Sequence, residues 1–444
     1  MQVRFWGTRG SIARPGPETL RYGGNTACVE VRADDGTLVV LDCGTGAHAL
    51  GRELSVSEPG DLHGHLLIGH SHWDHIQGFP FFEPFFRPGG VWEVYAPGGW
   101  ERQIESTLGG PMAYGYSPIT LESLDAAVRY HDLTEGVFEV GAIRVVTQYL
   151  HHPALTLGYR LEADGAILVY ATDHEPHSLH PQGAPPGARP IHHEDQRHVR
   201  FLADADLVVH DAQYMLDDFP TRAGWGHTPV ERAVDYTLLA GAKRLALFHH
   251  DPDRSDDEVD EVCARGRAWA DEAIPAGAGS TLEVFGAAEG WEIELSGERE
   301  RRTEPAASAL LERRPRSPAR VLLVDDDPDL RRLLAGTLES EGIAVSKAAD
   351  GEDALRQARQ EPPSLILLDA RLPGLPGLEV CRALRGDPDR RLADVPVVML
   401  TGVRLDERDL VEAFEAGATD YLVKPIKPAL VRSRVRSWLL RSGG

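Results

Sequence analysis

Residues 65–75 read HLLIGHSHWDH. The run opens as an apolar strand, HLLIGH, and ends in four side chains that can bind a metal: His70, His72, Asp74 and His75. Side chains alternate along an extended chain, so His70, His72 and Asp74 are expected on one side, with Ser71 and Trp73 on the other. His75 must then come inward through a turn. A helix could not converge all four, because positions i and i+2 do not face each other. Three more residues of the right type close apolar strands of their own. His152 ends IRVVTQYLHH and is held extended by Pro153. Asp173 ends AILVYATD, and His249 follows KRLALF. Strand ends on one edge of a layered α/β sheet are where ligands collect. Imidazole with carboxylate suits zinc, manganese or iron. Seven such side chains are too many for one tetrahedral ion and about right for two ions sharing a bridging carboxylate.

The rest of the chain sets bounds on this reading. Its 444 residues imply two or three domains, and 42% apolar with 26% charged residues is ordinary globular composition. A net charge of −23 argues against a chain built to hold long nucleic acid by its phosphates. It leaves room for a small anionic substrate beside a metal. The start, MQVRFWGTRG, lacks the apolar stretch of a secretory signal, and no run of 18 apolar residues suggests a membrane span. Cys28, Cys43, Cys263 and Cys381 form no CxxC pair, which fits reduced thiols in a cytoplasmic protein.

Strand patterns dominate residues 1–295. Residues 296–319, with Arg-rich SGERERRTEP and ERRPRSPA, read as a linker that could hold a short helix capped by Thr303. From residue 320, apolar strands alternate with helical patterns: VLLVDDD then DLRRLLAGTLESEG, SLILLDA then LEVCRALRG, VPVVMLT then ERDLVEAFEAGA. That rhythm predicts a parallel sheet covered on both faces. Residues 176–198 are rich in Pro, Gly and His and read as a surface insertion. His174, His177, His180, His192 and His193 are expected in a solvated loop rather than at an extra metal site. Phe79, Phe81, Phe82, Phe85 and Phe86 are expected in the core rather than along a substrate wall.

The HxHxDH run and the strand-end ligands after it resemble the metallo-β-lactamase superfamily, metal-dependent hydrolases with a four-layer αββα sandwich. The resemblance covers roughly residues 1–295. It implies that His70, His72 and His152 hold one metal, that Asp74, His75 and His249 hold a second, and that Asp173 bridges them. Asp42, in LDCGTG, would orient ligands from beneath the site. Redox di-iron members carry Glu where this chain has His72, which favours hydrolysis. The order GHT (Gly226, His227, Thr228), helical VERAVDYTLLAGAK and RLALFHH resembles the ribonuclease Z and phosphodiesterase branch, as does GTRGSIARPG…RYGGNTACVEV. That likeness implies that His227 donates to the scissile phosphate and that Asp74 orients or deprotonates the water. No long basic arm of the kind used to grip tRNA is present in the sequence, so a small phosphodiester, such as a cyclic nucleotide or cyclic phosphate, fits better.

In the C-terminal part, Asp325, Asp326 and Asp369 end strands, as do Thr401 and the DYLVKP run with Tyr421 and Lys424. Three carboxylates at one point demand a cation, and hard oxygen ligands favour Mg²⁺. One of them can then accept a phosphoryl group. DARLPGLPG, from Asp369, matches the DxxxPGxxG stretch of bacterial response regulator receiver domains, and residues 320–444 resemble that flavodoxin-like (βα)5 fold. The resemblance implies Asp369 as phosphoacceptor and Asp325, Asp326, Asp369 and the Arg371 carbonyl around Mg²⁺. It further implies Thr401 and Tyr421 as the switch pair, Lys424 as a phosphate contact, and a sensor histidine kinase or phosphotransfer protein as partner.

The expectation is a cytoplasmic signalling hydrolase with two transition-metal ions, zinc foremost, joined to a receiver and able to form a homodimer. Two alternatives stand beside the phosphodiesterase: a thioester, lactone or β-lactam hydrolase, and a non-catalytic metal-bearing scaffold. Which way phosphorylation acts is left open by the receiver's place after its presumed output.

Overall fold

The computed structural model describes residues 1–58, 60–98, 104–110, 112–113, 115, 117–177, 185–190, 192–273, 282–297, 319–402, 412–413, 416–426 and 428–442. The chain divides into two compact units, Met1–Leu311 and Glu312–Gly444. Among the described residues no helix is long and apolar enough to cross a membrane.

The first unit is built on two seven-stranded sheets. One takes β1 (Gln2–Gly7), β2 (Cys28–Arg32), β3 (Leu38–Leu41), β4 (His63–Leu67), β5 (Val91–Pro97) and β6 (Ala127–Leu133) in sequence. The chain then crosses to the other sheet, β7 (Gly136–Val140), β8 (Ile143–Leu150), β9 (Thr156–Ala163), β10 (Ala166–Ala171), β11 (Leu207–Asp211), β12 (Arg244–Phe248) and β13 (Glu283–Gly286). A last strand, β14 (Glu292–Glu294), returns to lie antiparallel beside β1. Inner strands are buried on both faces, so their sequences run apolar without alternation, as in LVVL of β3 and AILVYA of β10.

Helices cover the outer faces. α1 (Ala47–Ser57) turns Ala47, Leu50, Gly51 and Leu54 inward at helical spacing, onto β3–β5 and the Phe79, Phe82 and Phe85 rings. α2 is the single turn Trp73–Ile76, α3 is Ile104–Gly109 and α4 is His193–Phe201. After α5 (Phe219–Arg222) come α6 (Val230–Leu239) and α7 (Asp256–Glu272), which pack with α4 on β10–β13. Ser255 and Glu258 form a capping box at the start of α7. This is the four-layer αββα sandwich expected.

The sheets are tied through their facing sides. The Tyr159 hydroxyl donates to the Ile68 carbonyl at 2.6 Å and the Leu157 N–H to the Gly69 carbonyl at 2.9 Å. β3 runs parallel to β4, and β10, β11 and β12 run parallel to one another, so Asp42, His70, Asp173, Asp211 and His249 leave the sandwich at one edge. β8 runs antiparallel to β9 and so shares the direction of β10, which carries His152 to that edge too.

The second unit is a five-stranded parallel sheet, β15 (Arg320–Val324), β16 (Ala344–Ala348), β17 (Leu365–Asp369), β18 (Val397–Gly402) and β19 (Asp420–Lys424), ordered β16-β15-β17-β18-β19. Helices Pro328–Glu339, Gly351–Gln360, Gly377–Arg385 and Pro428–Ser442 accompany it. The order reverses at β15, whose neighbours β16 and β17 lie on either side, and Asp325 and Asp369 stand at the carboxyl ends beside that switch point.

Three expectations need correction. The extended run of residues 70–75 stops at His72, which has φ −64° and ψ 153°, and Trp73 begins helix α2. Asp74 therefore comes from a helical turn, closed by His75 N–H on the His72 carbonyl at 3.0 Å, not from strand alternation. The His-rich insertion is not solvated at His174, His177 or His192, which are buried; only His193 of the described histidines there is exposed, on α4. Phe81 is 58% exposed while Phe79, Phe82 and Phe85 are core. The expected linker helix at residues 303–314, His180 and most of ERDLVEAFEAGA lie outside the described residues.

Candidate metal centre

All seven side chains singled out from the first unit meet at one edge. Asp173 stands in the middle. Its Oδ2 lies 3.6 Å from His70 Nε2 and 3.7 Å from His152 Nε2, and His152 Nε2 lies 3.1 Å from His72 Nδ1. Its Oδ1 lies 3.2 Å from His75 Nε2 and 3.3 Å from His249 Nε2. Asp74 Oδ2 completes that side at 3.4 Å from His75 Nε2 and 3.1 Å from His249 Nε2. One carboxylate thus faces two groups of ligand atoms, one oxygen to each.

The spacings distinguish coordination from hydrogen bonding. Ligands about 2.0–2.2 Å from a tetrahedral ion stand roughly 3.3–3.6 Å apart. These pairs straddle that range, from 3.1 to 3.7 Å, whereas the His–carboxylate pairs nearby, His75 Nδ1 with Asp42 and His227 Nδ1 with Asp211, are both at a short hydrogen-bond distance of 2.7 Å. His70 Nε2 and His75 Nε2 are buried without a hydrogen-bond partner. Nitrogens so placed fit a metal pair, one near His70, His72, His152 and Asp173, the other near Asp74, His75 and His249.

Electrostatics point the same way. Burial pushes the His70 imidazole well down and His152 to about 3, so both present lone pairs at neutral pH. His75 is pushed down by burial but up by Asp173, Asp74 and Asp42, which prevail. The site holds more negative charge than its own residues neutralise, the condition a cation relieves.

Backbone and neighbours set these ligands. His75 Nδ1 and the Tyr170 hydroxyl both donate to Asp42 Oδ2 at 2.7 Å, and Gly69 N–H donates to its Oδ1 at 2.7 Å. His152 Nδ1 donates to the Gly226 carbonyl at 2.9 Å, which aims its Nε2 at the site. Ser11 N–H donates to Asp74 Oδ2 at 2.7 Å. Ser11, Asp42, Asp173 and His249 all carry positive φ, between 58° and 62°, a conformation costly for residues with a Cβ.

His227 lies beside the seven, buried, its ring 4.9 Å from that of His249. One of its nitrogens is within 4.8 Å of ligand atoms of Asp173 and His249. Burial pushes it down, but the Asp211 carboxylate, with Asp173 and Asp74, holds it up at about 9, so it is an imidazolium at neutral pH. Asp211 was missed from sequence, although it ends LVVHD as the chosen residues end their strands. Glu175 was missed too: its carboxylate takes the N–H groups of Gly224 at 2.9 Å and Gly226 at 2.7 Å, and so holds the His227 loop.

His177, His192 and Asp195 also place ligand-type atoms within 4.8 Å of one another. Their contacts there are those of a helix start: His192 Nδ1 accepts the Glu194 N–H at 3.1 Å and Asp195 Oδ1 the His177 N–H at 2.9 Å.

In the second unit Asp325, Asp326 and Asp369 bring carboxylate oxygens within 4.8 Å of one another. Lys424 Nζ lies 2.6 Å from Asp369 Oδ2 and 2.7 Å from Asp325 Oδ2. Burial, with the Asp369 charge, pushes the Asp325 carboxyl up, while the two carboxylates hold the Lys424 ammonium up against its own burial. Arg371 N–H donates to Asp369 Oδ1 at 3.1 Å. Thr401 is buried at the end of β18, and Tyr421 is half-buried on β19. Three carboxylates against one ammonium fit a hard divalent cation.

Two family models match the chain, one in each unit. The family model described as a beta-lactamase superfamily domain matches residues 37–250, and that described as a response regulator receiver domain matches residues 321–436. The chain joins a beta-lactamase-superfamily domain to a receiver domain. The DNA-binding response regulator MtrA of Mycolicibacterium smegmatis is 45% identical over 123 residues, 28% of this chain and 51% of that protein. The chain thus spans about half the length of the curated relatives it matches. The metallo-beta-lactamase fold protein YhfI of Bacillus subtilis is 17% identical, covering 66% of this chain and 98% of that one, with a TM-score of 0.45. A new diphosphatase from the PhnP family is 19% identical over 67% of this chain and 99% of that one, with a TM-score of 0.43. The beta-lactamase-superfamily domain supports hydrolysis in general, and its His/Asp groups are ones that could hold divalent metals.

Proposed function

We propose that residues 1–295 form a binuclear metal-dependent phosphodiesterase acting on a small phosphodiester, a cyclic nucleotide or cyclic phosphate, and that residues 320–444 regulate it through phosphorylation of Asp369. The protein works in the cytoplasm, and residues 296–319 link the domains. The observation that carries this reading is His227. An imidazolium held by Asp211 beside the seven ligands is a cationic donor set for an anionic phosphoryl oxygen. A neutral thioester, lactone or β-lactam needs no such charge.

His70, His72 and His152 would hold one ion, Asp74, His75 and His249 the other, with Asp173 between them. Five imidazoles and two carboxylates suit zinc, with manganese or iron next. When bound, the pair supplies an activated water and neutralises phosphate charge. Asp74 Oδ2, fixed by the Ser11 N–H, orients the attacking water and can take its proton. His227, its Nδ1 occupied by Asp211, offers its Nε2–H to the phosphoryl oxygen or leaving group. In the receiver, Asp325, Asp326, Asp369 and the Arg371 carbonyl would hold Mg²⁺. Thr401 and Lys424 would meet the phosphoryl group, and Tyr421 would report it to a homodimer contact or to the hydrolase.

The test is hydrolysis of bis(p-nitrophenyl) phosphate by the zinc-loaded full chain, with and without acetyl phosphate. Asp74→Ala should cost about 10²–10⁴-fold; rates equal to wild type would remove the reading. If His227→Ala left the rate intact, a carboxylic substrate would replace the phosphodiester.

A further inference from the structure

A ladder of rings leads outward from the candidate centre. The His227 ring, 4.9 Å from that of His249, is met edge-on by Tyr214, 5.8 Å away at 80°. The Arg222 guanidinium lies 5.5 Å from the Tyr214 ring and 5.0 Å from the Trp225 ring. Tyr214 is 2% exposed and Trp225 53% exposed, so the ladder starts buried and ends at the surface. It stands on a fixed base. Glu175 holds Gly224 and Gly226 on either side of Trp225, and the Gly226 carbonyl takes the His152 N–H. A Cβ on Gly226 would lie 2.2 Å from His152 Nδ1, so Trp225 has little freedom to move away from the ligands.

A second indole adjoins another neighbour of His152. His152 Nε2 is 3.1 Å from His72, and the next residue, Trp73, is 51% exposed. Two half-exposed indoles, each within one residue of a direct contact with the His152 ring, are apolar surface that folding did not bury. Helix α2 is closed by backbone hydrogen bonds and the 224–226 turn by the Glu175 carboxylate, neither through an indole. The Arg222 guanidinium lies over the Trp225 ring in cation–π contact, which steadies the indole while leaving it half-exposed.

We infer that Trp225, backed by Arg222, is a stacking platform for an aromatic ring on the substrate, so that the phosphodiester carries a nucleobase or similar planar heterocycle. This rests on the phosphodiesterase reading for its reaction, not for its binding. A base stacked on an indole contributes about 1–3 kcal/mol, a factor of roughly 5 to 150 in affinity. It would place the diester phosphorus toward His227, one ladder length inward. Such a platform recognises planarity, not base identity, and its specificity is for nucleotide against alkyl esters.

Two measurements on the zinc-loaded full chain test it. In binding, thymidine 5′-monophosphate and methyl phosphate are titrated against tryptophan fluorescence and by calorimetry. The nucleotide should bind at least 5-fold tighter, Trp225→Ala should lose most of that margin, and Trp225→Phe should keep most of it. In turnover, the same leaving group is compared on thymidine 5′-p-nitrophenyl phosphate and methyl p-nitrophenyl phosphate. The kcat/KM ratio should favour the nucleoside ester and fall in Trp225→Ala through KM. Equal binding of the two phosphates by wild type, or undiminished nucleotide binding by Trp225→Ala, overturns the platform whether or not either ester is cleaved. Tight, Trp225-dependent nucleotide binding without cleavage of either ester upholds the platform and overturns the phosphodiesterase reading instead.

Discussion

At the scale of single residues, the decisive contrast is between Asp42 and Asp211 on one hand and Asp74 and Asp173 on the other. The first two sit 2.7 Å from a histidine Nδ1 and act through it, whereas the second two stand 3.1–3.7 Å from several Nε2 atoms at once. Asp211→Asn removes the charge that keeps His227 at about 9, so burial should bring its pKa down and leave it neutral near pH 7. Phosphodiester turnover is expected to fall about 10²-fold or more while two zinc ions per chain remain, measured by rate and metal analysis on one sample. Loss of metal together with rate would mean that Asp211 serves the fold instead. In the other unit, Asp369 is the carboxylate that Lys424 reaches at 2.6 Å. Asp369→Asn should abolish labelling by acetyl phosphate with Mg²⁺, read as a mobility shift on a phosphate-affinity gel; labelling at wild-type level would reassign the acceptor.

At the scale of elements, loops beyond strand ends carry the chemistry, and they are tightly specified. Gly226 has φ 94°, and its missing Cβ leaves space for the His152 ring. Gly226→Ala should displace both His152 and the His227 loop and weaken zinc by about 10–100-fold, measured by competition with a chromogenic chelator. Behind the same edge, His198 Nε2 meets His210 Nε2 at 2.9 Å. Burial lowers both pKa values, so unfolding lets them take up protons. Their contribution is complete above about pH 6.5 and is lost as pH falls below it toward the folded values. His210→Gln should flatten that acid limb, seen as a smaller drop in the urea midpoint between pH 7 and pH 5 than in wild type. The elements also show what sequence could tell. Apolar runs ending in His or Asp marked the edge of the sandwich where His70, His152, Asp173 and His249 meet, because burial on both faces leaves an unmistakable composition. The Ser11 N–H on Asp74 left no mark, since every residue but proline has that donor. Tyr170 on Asp42 spans 128 positions, and no local pattern links them. The His-rich insertion misled because histidine composition suggests water, while His174, stacked 4.0 Å from His198, is buried by tertiary packing.

At the scale of the whole molecule, each unit has a core of its own. Leu247, Val208 and Val234 belong to one cluster of the first unit, and Leu322, Ile366 and Val397 to that of the second. Calorimetry of the full chain should therefore show two transitions. A chelator should lower only the first, and Mg²⁺ with beryllofluoride should raise only the second, by about 2.7 kcal/mol at a hundredfold excess over its dissociation constant. A single transition moved by either treatment would show that the units unfold as one.

The Met1 amino group donates to the Leu295 carbonyl at 2.9 Å, on the edge where β14 pairs with β1. A gene rearranged so that a few glycines splice position 295 to position 1, with new ends cut at the exposed Asp35–Gly36 turn, should therefore still fold and bind zinc. The new ends would open close to the old ones, since the Met1 ammonium also stands 3.3 Å from Asp34 Oδ1, so the order of the two halves along the chain becomes something an engineer can choose.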